Sequence, residues 1–424
     1  MSGAAYAAHV ALPMRSYNLG HYLLALLAAG VLLACVATAG ATIRAAGAPH
    51  PVRGIAVVRL GASASTGAEH LHRYSYVILG RGEYRYARSV QRSSPETKVL
   101  AYEFGMDIVD DCVPATWLCP AITYQQAAEH DRRHRDDAWI LRDPGGNSLV
   151  NPHYPHAHLA NVGSPTYQRA WVRRVIAANA KGGFDGVLVD NVLGLLVGWS
   201  GGRYPTAYPS DAAWEKAMTR FVRYVGPALK KHGLYVAIST FKGGANDGST
   251  DAAFWRKLAP YVSGLMAEYW EQSSIDLRPF DANPSTWTGH WAGWLRLADA
   301  AQRAGADFFP LQYAASDDYR MMTYGKASFL LVWNGSGGGY IFEPRNPADP
   351  WNSAWTTTIG KPMSARYRVG VGWRRNFTRG TALVNPNPEV KQTFKLGASY
   401  TEPGGGVVRS VSVPPVTGLI LRKR

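Results

Sequence analysis

Between Gly54 and Trp333 the sequence alternates short, apolar, β-branched runs with longer amphipathic stretches, and this alternation restricts the chain to a largely parallel α/β architecture. The runs expected as strands are Gly54–Arg59, Tyr76–Leu79, Val99–Glu103, Gly186–Asp190, Tyr235–Ser239, Gly264–Tyr269, Asp307–Gln312 and Ser328–Trp333. Val187 to Val189 are apolar without alternation, as in a strand covered on both faces. Eight such strands separated by helical patterns predict an α/β fold of the (β/α)8 TIM-barrel type. The clearest helical patterns run over Pro165–Ala180, Asp211–Lys231, Asp251–Tyr261 and Thr286–Ala304, with a shorter one near Asp318–Tyr324. Ser164-Pro165 starts the first of these as a cap followed by proline at the first helical position.

A ninth apolar run, Trp139-Ile140-Leu141, breaks the alternation. With Asp143-Pro144-Gly145-Gly146-Asn147 and Ser148-Leu149-Val150 it reads as a hairpin, inside an insertion spanning about residues 104–160. Beyond Pro344 the pattern changes. Tyr367–Val371, Thr381–Val384, Thr393–Leu396, Val407–Val413 and Gly418–Leu421 are short runs separated by Asn-Pro, Pro-Gly-Gly and Pro-Pro turns. The expected organisation is a barrel over residues 50–345 and a small antiparallel β-domain over 360–424.

Residues 1–44 form a separate segment. Arg15 precedes an uncharged run from Tyr22 through Val36, followed by Ala37-Thr38-Ala39-Gly40-Ala41, the layout of a secretory signal. Residues 22–41 would serve either as a cleaved leader or as a membrane tether. Export makes Cys112 and Cys119 an even pair within one segment, expected to close a loop disulfide. The net charge of +15 raises the question of nucleic acid. Basic residues are scattered, however, and no zinc-finger, bZIP or RNP pattern accompanies them, so either a solvated basic face or weak attraction to anionic cell-wall polymer or membrane surface fits the charge better.

The acidic residues at strand ends carry the chemical reading. The third strand ends Ala101-Tyr102-Glu103-Phe104-Gly105 with Asp107 beyond it, the fourth ends at Asp190-Asn191, and the fifth leads to Lys242. The sixth ends Glu268-Tyr269-Trp270, the seventh at Tyr313 and the eighth at Trp333. In barrel enzymes these carboxyl ends form the site. Glycoside hydrolysis needs two carboxyl groups flanking a bond, one to protonate the leaving oxygen and one to attack the sugar or activate water. Asp190 and Glu268 are the best pair, because one strand separates theirs and they can face each other across the barrel mouth. Glu103 is the substitute for either role. Tyr102, Asp107, Asn191, Lys242, Tyr269, Trp270, Tyr313 and Trp333 are candidates for binding substrate. His153, His156 and His158 cluster without a Cys or acidic partner at metal-site spacing, so a polar loop over the cleft is expected, with no metal or other cofactor.

Phe184-Asp185-Gly186-Val187-Leu188-Val189-Asp190-Asn191-Val192, preceded by Leu159 through Gln168, resembles the hypothetical glycosyl-hydrolase-like family 15. Those proteins are similar in turn to barrel enzymes such as endo-α-1,4-polygalactosaminidase. Phe377–Pro386 and Val411–Leu421 also look like that family's terminal β element. The resemblance implies a glycosidase with Asp190 as nucleophile and Glu268 as acid/base, and lends no substrate; with export, a polysaccharide or cell-surface glycan is the expected one. Two alternatives stay open: a barrel that binds glycan without turnover, and a metal-dependent hydrolase using the histidine loop.

Overall fold

The computed structural model describes residues 51–61, 68–110, 118–242, 249–271, 284–344 and 349–424. The expected leader, residues 1–44, and Cys112 of the expected disulfide lie outside them. No helix among the described residues is long and apolar enough to cross a membrane.

Eight parallel strands close into a barrel. In chain order they are Val52–Arg59, Tyr74–Gly80, Lys98–Phe104, Gly186–Asp190, Tyr235–Ser239, Gly264–Ala267, Asp307–Ala314 and Gly339–Pro344. Each pairs with its predecessor, and the eighth closes on the first through Gly54↔Gly339 and Ala56↔Ile341.

Seven of the eight expected strands appear, and the exception is the last. Ser328–Trp333 is not a strand: Ser328–Val332 lies in the helix Tyr319–Val332, and Trp333 caps its C-terminal end. Asp318 starts that helix by accepting the Met321 N–H at 3.0 Å. The helix lies between the barrel and the C-terminal sheet, and its residues from Met321 to Val332, apart from Thr323, are buried. A helix covered on both sides loses its polar stripe, so its sequence looks like a buried strand. Arg375 fixes its end, donating from Nη1 to the carbonyls of Leu330, Leu331 and Trp333 at 3.0, 3.1 and 2.7 Å.

The helix Pro165–Gly182 leads into the fourth strand. Gly183 follows in the left-handed region (φ 72°) and its N–H reaches the Asn179 carbonyl at 2.8 Å, ending the helix where the chain must turn back. Asp185 then accepts the Val99 N–H at 2.8 Å and aligns the fourth strand with the third. The helix Asp211–Lys231 has the bounds expected of it.

The insertion between the third strand and its helix holds the helix Tyr124–Arg133, short strands Asp107–Val109 and Ala157–Leu159, and bridges Arg142↔Ser148 and Val150↔His158. The C-terminal domain is one antiparallel sheet of six strands between Tyr367 and Lys423. It includes Gly372–Phe377, which was not among the expected strands.

Candidate active site

Strand alternation builds the site. The barrel interior is filled by Ala56, Ile78, Leu100, Leu188, Ala237, Met266, Leu311 and Ile341, with Tyr76 and Phe309 toward the opposite end. Two residues further along the inward faces come Tyr102, Asp190, Ser239, Glu268, Tyr313 and Glu343. One apolar layer is thus overlain by a polar layer at the carboxyl ends of six neighbouring strands, where barrel chemistry is placed. The other end is closed by Tyr76 and Tyr235, both donating to Asp307 Oδ2, at 3.1 and 2.6 Å.

Asp190 and Glu268 interact electrostatically across this layer, and their surroundings differ. Burial raises the Asp190 carboxyl, while hydrogen bonds from the Tyr102 hydroxyl, the Asn191 N–H and the Ser239 hydroxyl favour its ionised form. Glu268 is pushed up to about 7, first by burial and then by the charge of Asp190. The Tyr313 hydroxyl, donating at 2.8 Å, and that of Tyr269 only partly offset this. Of the two carboxyls Glu268 therefore holds its proton to the higher pH, and Asp190 is the one the hydrogen bonds help to ionise.

The insertion completes one wall. Asp107 is buried and held up to about 6, chiefly by burial, and it accepts from Asn191 Nδ2 at 2.7 Å and Asn151 Nδ2 at 3.3 Å. Asn151 also receives two N–H groups of its own loop, His153 on its side chain and Tyr154 on its carbonyl, both at 3.0 Å. Asp107 and Asn151 thereby fix Tyr154, whose hydroxyl is raised to about 12 by partial burial and by the charges of Asp190, Glu268 and Asp107. Gly105 lets the chain pass: its N–H donates to the Asp190 carbonyl at 2.8 Å, and a Cβ there would come within 2.5 Å of that oxygen. Backbone strain sits beside both carboxyls, with left-handed φ at Asn191 (57°), Tyr269 (60°) and Glu271 (58°).

Asp190, Glu268, Tyr102, Asp107, Asn191, Tyr269 and Tyr313 therefore come together. Four expected residues do not join them. Glu103, one step from Tyr102, faces outward, fully buried, and pairs with Arg81 at 3.2 Å. Trp270 is fully buried, its indole N–H bonded to the Gly325 carbonyl at 3.1 Å and its ring among Trp294 and Phe308. Trp333 lies at the far end of the barrel, against Gly54 at the start of the first strand, because its run is helical. Lys242 pairs with Glu215 at 2.7 Å, outside the layer, rather than with Glu268. The histidines of the loop serve separately: His158 stacks on Tyr124 at 4.0 Å and His153 packs edge-on to Trp199 at 5.1 Å. Among the described residues the one group of three potential metal ligands is Glu69, His70 and Asp349, outside this layer.

Ser239, Tyr154 and Glu343 were not anticipated. Alternation from Ala237 would have found Ser239. Glu343 was hidden by the misplaced eighth strand; it sits beside Tyr313 in register, held up to about 8 by burial with Arg59 opposing.

The model of hypothetical glycosyl hydrolase family 15 matches residues 91–381. The chain belongs to that family and is a glycosidase. No curated protein matches it. Among solved structures, the noncanonic maltogenic α-amylase AmyB from Thermotoga neapolitana is similar with TM-score 0.52 and 11% identity, over 87% of this chain and 98% of that one. The α-amylase from Geobacillus thermoleovorans complexed with acarbose gives 0.51 and 7%, over 88% and 98%. These two likenesses show the shared fold. The glycoside hydrolase domain of PelA from Pseudomonas aeruginosa gives 0.43 and 12%, over 70% and 95%.

Proposed function

We propose that this member of hypothetical glycosyl hydrolase family 15 cleaves O-glycosidic bonds of a polysaccharide outside the cytoplasm, with Asp190 and Glu268 as its catalytic pair. The observation that carries the reading is the unequal environment of the two carboxyls. Three hydrogen bonds favour the anion of Asp190, whereas Glu268, buried beside that anion, keeps its proton up to about pH 7. A carboxylate and a carboxylic acid held apart in this way can attack and protonate at neutral pH.

In this mechanism Asp190 attacks the anomeric carbon as Glu268 transfers its proton to the departing glycosidic oxygen. The glycosyl–Asp190 ester is then hydrolysed by a water that Glu268, now ionised, deprotonates. Tyr102, Ser239 and the Asn191 N–H hold Asp190 in line, and Tyr313 and Tyr269 orient Glu268.

Export is part of the proposal. The signal-like residues 1–44 support it, with residues 22–41 as leader or tether, and a disulfide between Cys112 and Cys119 is proposed with it.

The test is a glycan-library hydrolysis screen with the wild type, Asp190→Asn and Glu268→Gln. Cleavage of at least one polysaccharide by the wild type and by neither variant is expected. Full activity in either variant overturns the assignment.

A further inference from the structure

Three loops at the carboxyl end of the barrel bring aromatic rings together just outside the carboxylate layer. Tyr154, from the insertion after the third strand, is 52% exposed as a residue, although its hydroxyl feels the charges of Asp190, Glu268 and Asp107. It therefore stands at the lip of the mouth. Next to it in the chain, His153 meets Trp199 edge-on at 5.1 Å. Trp199 comes from the loop after the fourth strand and meets Phe241, just past the fifth strand, at 6.3 Å. His153, Trp199 and Phe241 are all half-buried, Trp199 and Phe241 with one side against the core.

The loops that carry these rings are pinned. Asn151 ties the first to Asp107, and the Leu196 and Val197 N–H groups hold the second on Asp211 Oδ1 at 2.8 and 3.1 Å. The second and third are joined by the Gly194 N–H, which donates to the Phe241 carbonyl at 3.0 Å. Rings left partly uncovered on anchored loops beside a polar site are pre-ordered for a ligand with flat apolar faces. The sugar units of a glycan chain have such faces, and the continuity of the rings with Tyr154 leads them from the mouth.

We infer that Tyr154, His153, Trp199 and Phe241 form a sugar-stacking subsite beyond the point of cleavage, so that the protein recognises a chain of several sugar units rather than a terminal unit alone. The inference rests on the glycosidase reading of the carboxylate pair and adds the substrate's length to it.

The test is binding by the full chain in the Asp190→Asn background, by titration calorimetry. The probes are maltooligosaccharides and α-1,4-galactosamine oligomers of two to eight units. For at least one series, affinity is expected to rise with length. Adding Trp199→Ala should remove about tenfold from the affinity of the longest oligomer and less from the shortest, with the melting temperature retained. Phe241→Leu is the second variant should Trp199→Ala fail to fold. Equal losses at every length, affinity independent of length, or no binding by either series overturns the subsite. The catalytic reading fails on a different observation: oligomers held through Trp199 but never cleaved by the wild type would leave the subsite standing and remove the reaction.

Discussion

The Tyr102 hydroxyl donates a hydrogen bond to Asp190 Oδ2 from the neighbouring strand. Both side chains continue inward faces whose preceding members, Leu100 and Leu188, lie in the barrel interior. The bond therefore follows from strand register. It holds the anion on Asp190 against burial, which alone would favour the neutral acid.

Removing that hydroxyl should weaken the anion. In Tyr102→Phe, kcat/KM is expected to fall between about tenfold and a hundredfold, the worth of a hydrogen bond to a charged group. The acid limb of the pH–rate profile should move to higher pH, because Asp190 then protonates more readily. A profile unchanged in position would show that Tyr102 does not support the charge.

Asp190→Asn and Glu268→Gln should each lower the rate by a factor of about a thousand or more while leaving the fold intact. Each variant removes one of two buried, mutually repelling carboxyls. Melting temperatures should therefore equal or exceed that of the wild type, and differential scanning calorimetry checks this.

The basic limb of the wild-type kcat/KM profile should fall near pH 7, where Glu268 loses its proton. The rate depends on Glu268 being protonated, so activity declines as pH rises through this value. A rate that is flat from pH 6 to about pH 9 would exclude Glu268 as the acid.

Stability should also decline with rising pH. Glu103 and Glu268 are pushed up to about 7, Asp107 to about 6 and Glu343 to about 8, each mainly by burial. Unfolded, these groups titrate near pH 4. Between those limits the native state binds more protons than the unfolded chain, so the unfolding free energy falls as pH rises. Urea midpoints should fall as pH rises from about 4 toward about 8, and Glu343→Gln should flatten the slope.

Glu271 is fully buried and its carboxyl lies well above the usual range because of burial, with Ser328 and Trp291 as polar neighbours. A neutral group in that place is what the fold requires. Glu271→Gln should keep stability to within about 1 kcal/mol, and Glu271→Ala should cost about 1–3 kcal/mol. Both are measured by urea unfolding.

Much of this was legible in the residues. The order of the first seven strands, the position of Asp190 at the end of the fourth and of Glu268 just past the sixth, and the two-domain outline all followed from local apolar runs and turn residues. Local sequence specifies such features because burial period and turn chemistry act over a few residues. The eighth strand was not legible. Ser328–Val332 and Tyr340–Glu343 are both short runs of mainly apolar residues, and only packing makes the first a helix covered on two sides and the second the strand that closes the barrel. Glu343 entered the site through that closure and Tyr154 through the insertion's anchor on Asp107, Ser239 follows the alternation of its own strand, and Glu103, Trp270, Trp333 and Lys242 left the site. An apolar run records that it is buried; which neighbour buries it, and which way its polar end then faces, is a property of the closed barrel alone.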